Sequence, residues 1–330
     1  MCDATGMSRS CPTRICESLG PTPSTTNMAG NTVITLDEVK ALLPHAHSLS
    51  KTLDIDPLMF VDGVYISRDI RLIVKAGLPM VVKFGLSVHS SEADAMIYVA
   101  SRTTVPVPQV YAVFAETHED GRHMTYIVQE HIPGVRLDGA LKSLRPHELQ
   151  AIARQMRDTL AQLSGLSPKR ARLQPFSGGS WAPTVWFRAF QDTFPMGDED
   201  ARVTEFFLAY FRNMRSSRCR TTTVGNWSLG EFLGFFDLTR APIFSHGDLS
   251  PCNIIFDNGR ISGIVDWAGA GWYPYFWDSF VLGRSIAQLN DPEFMKLVDH
   301  IIGGHFPEAV NFEIVWEFEH SAILNTVNES

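Results

Sequence analysis

The spacing of apolar positions sorts the chain into an unpatterned beginning, a strand-rich stretch, a helical stretch and a stretch built around a tight hairpin. Residues 1–31 are rich in Ser, Thr, Pro and Gly (SRSCPT, LGPTPSTTN) and predict a disordered tail. Thr35 and Glu38 fit a capping box opening an amphipathic helix, with Val39, Leu42 and Leu43 on one face. Strand signals begin near Phe60. Val61 and Val64–Ile66 lead to a polar break at Ser67-Arg68-Asp69, and Ile70–Lys75 alternates in part. Ala76–Pro79 reads as a hairpin connection and Met80–Phe84 as its returning strand. Val110–Phe114 and Met124–Glu130 flank a polar tip, 117–123, with an Asp-Gly step. His131-Ile132-Pro133-Gly134 then breaks the pattern. The expectation is a small lobe of five strands and one helix before this break.

That helix is predicted from Ser91 to about Arg102, capped by Ser91-Glu92-Ala93-Asp94. Glu92, Met96, Val99 and Ala100 recur at i, i+4, i+7 and i+8, so Glu92 shares the apolar face and points inward, whereas Asp94 does not. An inward glutamate needs a partner. Lys83, the one lysine in the apolar strand Met80–Phe84, is the natural choice. The competing readings are a solvated lysine on an edge strand and a glutamate that snorkels to water.

After Pro146, placed in a first helical turn, Leu149, Ile152, Ala153, Met156, Leu160 and Leu163 repeat at helical spacing. Helices are also expected at 203–214 and 312–326, and an irregular Gly/Ser/Pro-rich segment at 168–183. No internal repeat is visible.

The stretch from Phe244 to Trp267 (FSHGDLSPCNIIFDNGRISGIVDW) carries the chemistry. His246-Gly247-Asp248 is followed five positions later by Asn253. Ile254–Phe256, the Asn258-Gly259 step and Ile261–Val265 read as a two-residue hairpin. Such a hairpin brings its two ends, Asn253 and Asp266, close enough to share one Mg²⁺, which takes one or two carboxylates plus substrate phosphates. Asp248, on the loop before the hairpin, is placed to orient a hydroxyl and accept its proton. Two aspartates and an asparagine at these spacings are what phosphoryl transfer requires. Singly, each acid would read as a turn or capping residue.

Composition narrows the class. The 330 residues are 45% hydrophobic and 19% charged, as in a globular protein with a sizeable core. A net charge of −8 argues against general nucleic-acid binding, and no apolar run reaches membrane-spanning length. The five cysteines, Cys2, Cys11, Cys16, Cys219 and Cys252, form no C-x-x-C pair, which fits a reduced, cytoplasmic setting. Cys252 inside the catalytic stretch reads as a small turn residue rather than a nucleophile.

VVKFG, SEADAM, VPVPQVY, IVQEHIPG, HGDLSPCNIIFD and IVDWAGAGWYP together resemble the aminoglycoside phosphotransferase/choline kinase-like superfamily, in particular its fungal phosphotransferase branch. The resemblance spans roughly residues 60–280, with HGDLSPCN and VDW the specific pieces. It implies an α+β, bilobal protein-kinase-like fold: a tail at 1–31, an N-lobe at 32–132 with a small antiparallel sheet and one key helix, and a larger, mainly helical C-lobe at 133–330. It implies ATP as donor, Mg²⁺ as cofactor and a small-molecule hydroxyl as acceptor, and it says nothing of oligomeric state. Carried over by position, Asp248 is the catalytic base and Asn253 and Asp266 are metal ligands. Lys83 binds the phosphates and pairs with Glu92. The backbone of Gln129, Glu130, His131 and Ile132 holds the adenine, and His246 braces the catalytic loop. The last acid of a Pro-Glu-Tyr-Trp-Glu run corresponds to Asp278 in Pro274–Asp278, an expected internal brace.

Departures sharpen this. Trp267-Ala268 follows Asp266 where protein kinases have Phe-Gly, and no Ala-Pro-Glu segment follows, which favours a small-molecule kinase over a protein kinase. No G-x-G-x-x-G covers the phosphates; only Gly63 lies nearby. That gap leaves a second reading open, a catalytically weak nucleotide-binding, pseudokinase-like module. Trp272, Tyr273, Tyr275 and Trp277 could face a cationic substrate or pack in the core, packing being favoured.

Overall fold

The structure is a computed structural model that describes residues 34–49, 58–61, 64–118, 121–166, 173–176, 223–224, 227–228, 240–287 and 301. It opens with helix α1 (Leu36–Leu42), whose capping box forms as expected: the Thr35 N–H donates to Glu38 Oε2 at 2.8 Å and the Glu38 N–H to Thr35 Oγ1 at 3.3 Å. An antiparallel sheet follows, built from β1 (His47–Ser48), β4 (Asp69–Lys75), β5 (Leu78–Gly85), β6 (Val110–Thr117) and β7 (His123–Glu130) in the order β1-β4-β5-β7-β6. A separate hairpin, β2 (Leu58–Val61) with β3 (Val64–Ser67), precedes it. Four of the five expected strands lie in this sheet; the one expected from about Phe60 to Ile66 instead forms the separate hairpin β2–β3, and the fifth place is taken by β1, which was not foreseen because two residues are too few to display a period. The β4–β5 turn is also tighter than expected, since Leu78 and Pro79 already belong to β5.

Alternation gives this sheet two different faces. Met80 and Val82 of β5 and Tyr126 and Val128 of β7 join Ile34, Val39, Leu43 and Ile73 in a cluster under α1. The other face carries Lys83 and Ile127, which are cross-strand partners, and Val81 opposite Gln129. Helix α2 (Ser90–Ala100) packs on this second face, burying Glu92, Ala93, Ala95, Met96 and Val99. It starts one residue earlier than predicted. His89 occupies the N-cap without a side-chain bond, its carbonyl accepting from the Glu92 N–H at 3.1 Å, so the expected Ser91–Asp94 cap does not form. Ala100 proves exposed, at the helix end.

Past β7 come β8 (Val135–Arg136), α3 (Leu137–Ala140), α4 (Pro146–Gly165, with Pro146 in its first turn) and β9 (Gln174–Pro175). Then follow β10 (Thr223–Val224), β11 (Trp227–Ser228), β12 (Ile243–Ser245), β13 (Ile254–Asp257), β14 (Arg260–Ile264), β15 (Gly271–Tyr273) and α5 (Trp277–Ala287). The stripe of α4 is buried as expected at Ile152, Ala153, Met156, Leu160 and Leu163, with Thr159 added. Beyond residue 132 the described residues thus hold three α-helices among eight short strands. The helices expected at 203–214 and 312–326, the tail at 1–31 and most of 168–183 lie outside the described residues. The large core cluster is continuous across residue 132. Val99, Val110 and Ile127 belong to it together with Leu137, Ile152, Phe244, Ile264 and Trp277. One backbone bond makes the same crossing: the Ile264 N–H donates to the Pro106 carbonyl at 2.7 Å.

Candidate active site

Lys83 and Glu92 meet as their spacing predicted. Lys83 Nζ donates to Glu92 Oε1 at 2.8 Å and Oε2 at 2.7 Å, with the two side chains 5% and 1% exposed. Both oxygens of Glu92 accept, which belongs to the ionised form, although burial pushes its pKa upward. The solvated-lysine and snorkelling readings are thereby excluded. Lys83 makes a third bond, to Asp266 Oδ1 at 2.6 Å, which joins residues 183 positions apart. The second oxygen of Asp266 faces Arg68, at 3.4 Å from its guanidinium. Burial works to raise the Asp266 pKa, but Lys83 and Arg68 outweigh it and hold the carboxyl well below the usual range. Asp266 itself sits at φ 65° and ψ 60°, a left-handed conformation that aspartate tolerates better than most residues and that recurs at functional sites.

The hairpin β13–β14 delivers Asp266 to this point. Asn258 and Gly259 turn it with φ 45° and 83°, the geometry an Asn-Gly step supplies. Past its last pair, Ile254 with Ile264, the Val265 N–H donates to the Asn253 carbonyl at 2.9 Å. Asn253 and the residue before Asp266 are therefore in direct contact.

The loop before the hairpin is held from several directions. The Asn253 side-chain amide donates to the Asp248 carbonyl at 2.8 Å and to Asp248 Oδ2 at 3.3 Å, which fixes the Asp248 carboxylate and turns Asn253 Oδ1 away from it. The His246 and Gly247 N–H groups donate to Asp278 Oδ2 and Oδ1 at 2.7 and 2.9 Å. Burial pushes the Asp278 carboxyl up to about 7, against the pull of these two donors. His246 accepts from the Asp248 N–H on Nδ1 at 3.2 Å, so its Nε2 carries the proton and donates to the Val265 carbonyl at 3.0 Å. Trp277 Nε1 donates to the Gly247 carbonyl at 3.0 Å. Gly247 lies at φ 85°, where an added Cβ would meet the Gly269 carbonyl oxygen at 2.0 Å, so only glycine fits.

The strand end Gln129–Ile132 borders the same face of the sheet as Lys83. Gln129 is 6% exposed and, among the described residues, its Oε1 has no hydrogen-bond partner. The Glu130 N–H and carboxylate are both engaged by Gln109, at 2.8 and 3.1 Å. Among the described residues no hydrogen bond occupies the His131 or Ile132 backbone, while the Ile132 side chain lies against Gly263. A buried polar atom without a partner costs stability, which a ligand amino group would relieve.

The aromatic run packs, as favoured. Tyr273 and Trp277 are fully buried and stacked at 5.3 Å, Trp272 stacks on Phe176, and Tyr275 takes the Arg240 guanidinium over its ring at 4.0 Å. The Cys252 thiol lies beside Ser250 Oγ, and burial pushes its pKa up, which disfavours the thiolate.

Residues 61–304 match the family described as the phosphotransferase enzyme family, about three quarters of the chain. The chain belongs to this phosphotransferase family. A comparison with the curated proteins finds no match. Among solved structures, a thermostable mutant of the aminoglycoside phosphotransferase APH(4)-Ia in ternary complex with ADP and hygromycin B aligns at TM-score 0.51. It shares 16% identity, with 85% of this chain and 92% of that chain covered, which shows a common fold. A spectinomycin phosphotransferase, APH(9)-Ia, with ADP and spectinomycin aligns at TM-score 0.42 and 15% identity over 82% of this chain and 80% of that chain.

In this phosphotransferase seven of the eleven sequence-derived residues fall into two connected groups, Lys83–Glu92–Asp266 and Asp248–Asn253–His246–Asp278, linked through Val265, while among the described residues Gln129–Ile132 make no hydrogen bond to either. Arg68 was missed. It stood in a polar break between two strands, and only the fold shows that the break faces Asp266.

Proposed function

We propose that this chain is an ATP- and Mg²⁺-dependent kinase acting on a hydroxyl of a small molecule such as an amino sugar, an amino alcohol or a secondary metabolite. The observation that carries the reading is the meeting of Lys83, Glu92 and Asp266 beside a loop whose Asp248 is oriented by Asn253. Lys83, held by Glu92, would pair with the donor phosphates. Asp248, presented by Asn253, would orient the acceptor hydroxyl and take its proton. Asn253 Oδ1 and the Asp266 carboxylate would hold Mg²⁺; this donor set fits, being hard oxygens and few in number. When bound, the ion supplies neutralisation of phosphate charge as the γ-phosphoryl group passes between oxygens. The unpaired Gln129 Oε1 and the open backbone of His131 and Ile132 would receive the adenine. The division into an N-lobe to residue 132 and a C-lobe beyond is part of the same reading.

The reading of an inactive nucleotide-binding module is not favoured, because Lys83, Asp248, Asn253 and Asp266 are all present and mutually positioned. The test is a library of hydroxyl compounds incubated with enzyme and MgATP and read by mass spectrometry. A product heavier by one phosphoryl group supports the kinase. Nucleotide binding with no transfer to any acceptor and no ATP turnover would favour the inactive module.

A further inference from the structure

A kinase without a glycine-rich loop lacks the row of backbone N–H groups that usually caps the donor phosphates. Here the sequence around the β2–β3 turn offers only Gly63. The residue that follows this hairpin is Arg68, between β3 and β4, and it faces the site. Its guanidinium lies 3.4 Å from Asp266 Oδ2, while Lys83 Nζ lies 2.6 Å from Oδ1 of the same carboxylate. Two cations, one on β5 and one between β3 and β4, therefore converge on one carboxylate.

We propose that Arg68 is a second phosphate-binding cation of this site, at a place where the sequence supplies no glycine-rich loop. The proposal rests on the nucleotide reading above. Its logic is exchange of partners. Groups that both reach one carboxylate are close enough to share one phosphate group. When Asp266 turns to a metal ion, Lys83 keeps Glu92 as its counter-ion, but among the described residues Arg68 pairs with Asp266 alone. The adjacent Asp69 is turned to its own strand, bonded by Arg71 Nε and the Ile70 N–H, each at 2.8 Å. A planar guanidinium can grip two phosphate oxygens at once, which a lysine in the same place cannot. Arg68 is also part-buried, with 27% of its side chain exposed, so solvent screens it less than a surface arginine.

The test compares adenosine, ADP and MgATP binding, by calorimetry, to the wild type and to Arg68→Met, Arg68→Lys and Lys83→Met. For Arg68→Met the expected result is a loss of about tenfold or more in MgATP affinity, a smaller loss for ADP and none for adenosine, with a weaker salt dependence. Arg68→Lys should recover part of the loss. MgATP affinity within twofold of wild type in Arg68→Met would overturn the proposal and leave Arg68 a brace for Asp266. An equal loss for adenosine and MgATP would overturn it too, since that marks a damaged fold. Lys83→Met separates the two claims. If it loses MgATP affinity while Arg68→Met does not, only the Arg68 role fails. A wild type that binds no MgATP would overturn the nucleotide reading and this proposal with it.

Discussion

His246 Nε2 donates to the Val265 carbonyl at 3.0 Å, and this bond ties the loop that carries Asp248 to the residue before Asp266. Keeping this bond together with the one from the Asp248 N–H requires a neutral ring, because Nδ1 must accept the latter. Burial, the largest influence, lowers the His246 pKa to about 4 from 6.5. Between these values the unfolded chain holds a proton that the folded protein refuses. The contribution of His246 is therefore present above pH 6.5 and is lost as pH falls towards 4, by about 3 kcal/mol in all. Asp278 slopes the other way, since its raised pKa of about 7 lets the folded state keep a proton that the unfolded state releases. The wild-type curve mixes the two. The difference in unfolding free energy between wild type and His246→Gln should rise from pH 4 to 6.5 and be level above it. A difference that is level throughout would exclude the assignment.

The Lys83–Glu92 pair makes a separate prediction about stability. Lys83→Met leaves Glu92 without its ammonium at 1% exposure and should cost about 3–5 kcal/mol in urea unfolding. Adding Glu92→Leu should recover much of that loss, because the uncompensated buried charge is gone. If the double variant is no more stable than Lys83→Met, the pair is not the source of the cost.

Gly247→Ala should be severe. The left-handed backbone alone costs about 1–3 kcal/mol for a residue with a Cβ. The collision with the Gly269 carbonyl at 2.0 Å adds to this and displaces the loop. Loss of at least about 3 kcal/mol together with loss of transfer is expected; a stable and active Gly247→Ala would show that the loop is freer than its hydrogen bonds imply.

Gln129 is expected to act for binding at the expense of stability. Replacing it with Leu removes an unpaired buried oxygen and should stabilise the ligand-free protein by about 1 kcal/mol. Adenosine affinity should fall in the same variant. Melting and binding measurements that both remain at wild-type values would remove Gln129 from the nucleotide site.

How far the sequence could be read depended on how local each signal was. The Asn258-Gly259 turn and the five-residue step from Asp248 to Asn253 are properties of neighbouring residues, and both appear as expected. The Lys83–Glu92 pair was legible because a strand lysine and an inward helix glutamate each lacked a partner. Asp278 carried no signal of its own. Its bonds to His246 and Gly247 span about thirty residues, and only the resemblance pointed to it. Arg68 carried none either, since its meaning depends on Asp266, 198 positions away. The start of α2 was misplaced because Ser91-Glu92-Ala93-Asp94 satisfies a local capping rule, whereas the helix opens after the N-cap His89, whose side chain makes no capping bond.

The central claim is that Asp248, oriented by Asn253, moves a proton in phosphoryl transfer. It is tested most directly by Asp248→Asn, assayed for MgATP-dependent transfer to an accepted hydroxyl compound beside MgATP affinity measured by calorimetry. The expected result is a rate lower by about 10²-fold or more with nucleotide affinity within about twofold of wild type. Transfer at the wild-type rate in Asp248→Asn would contradict it.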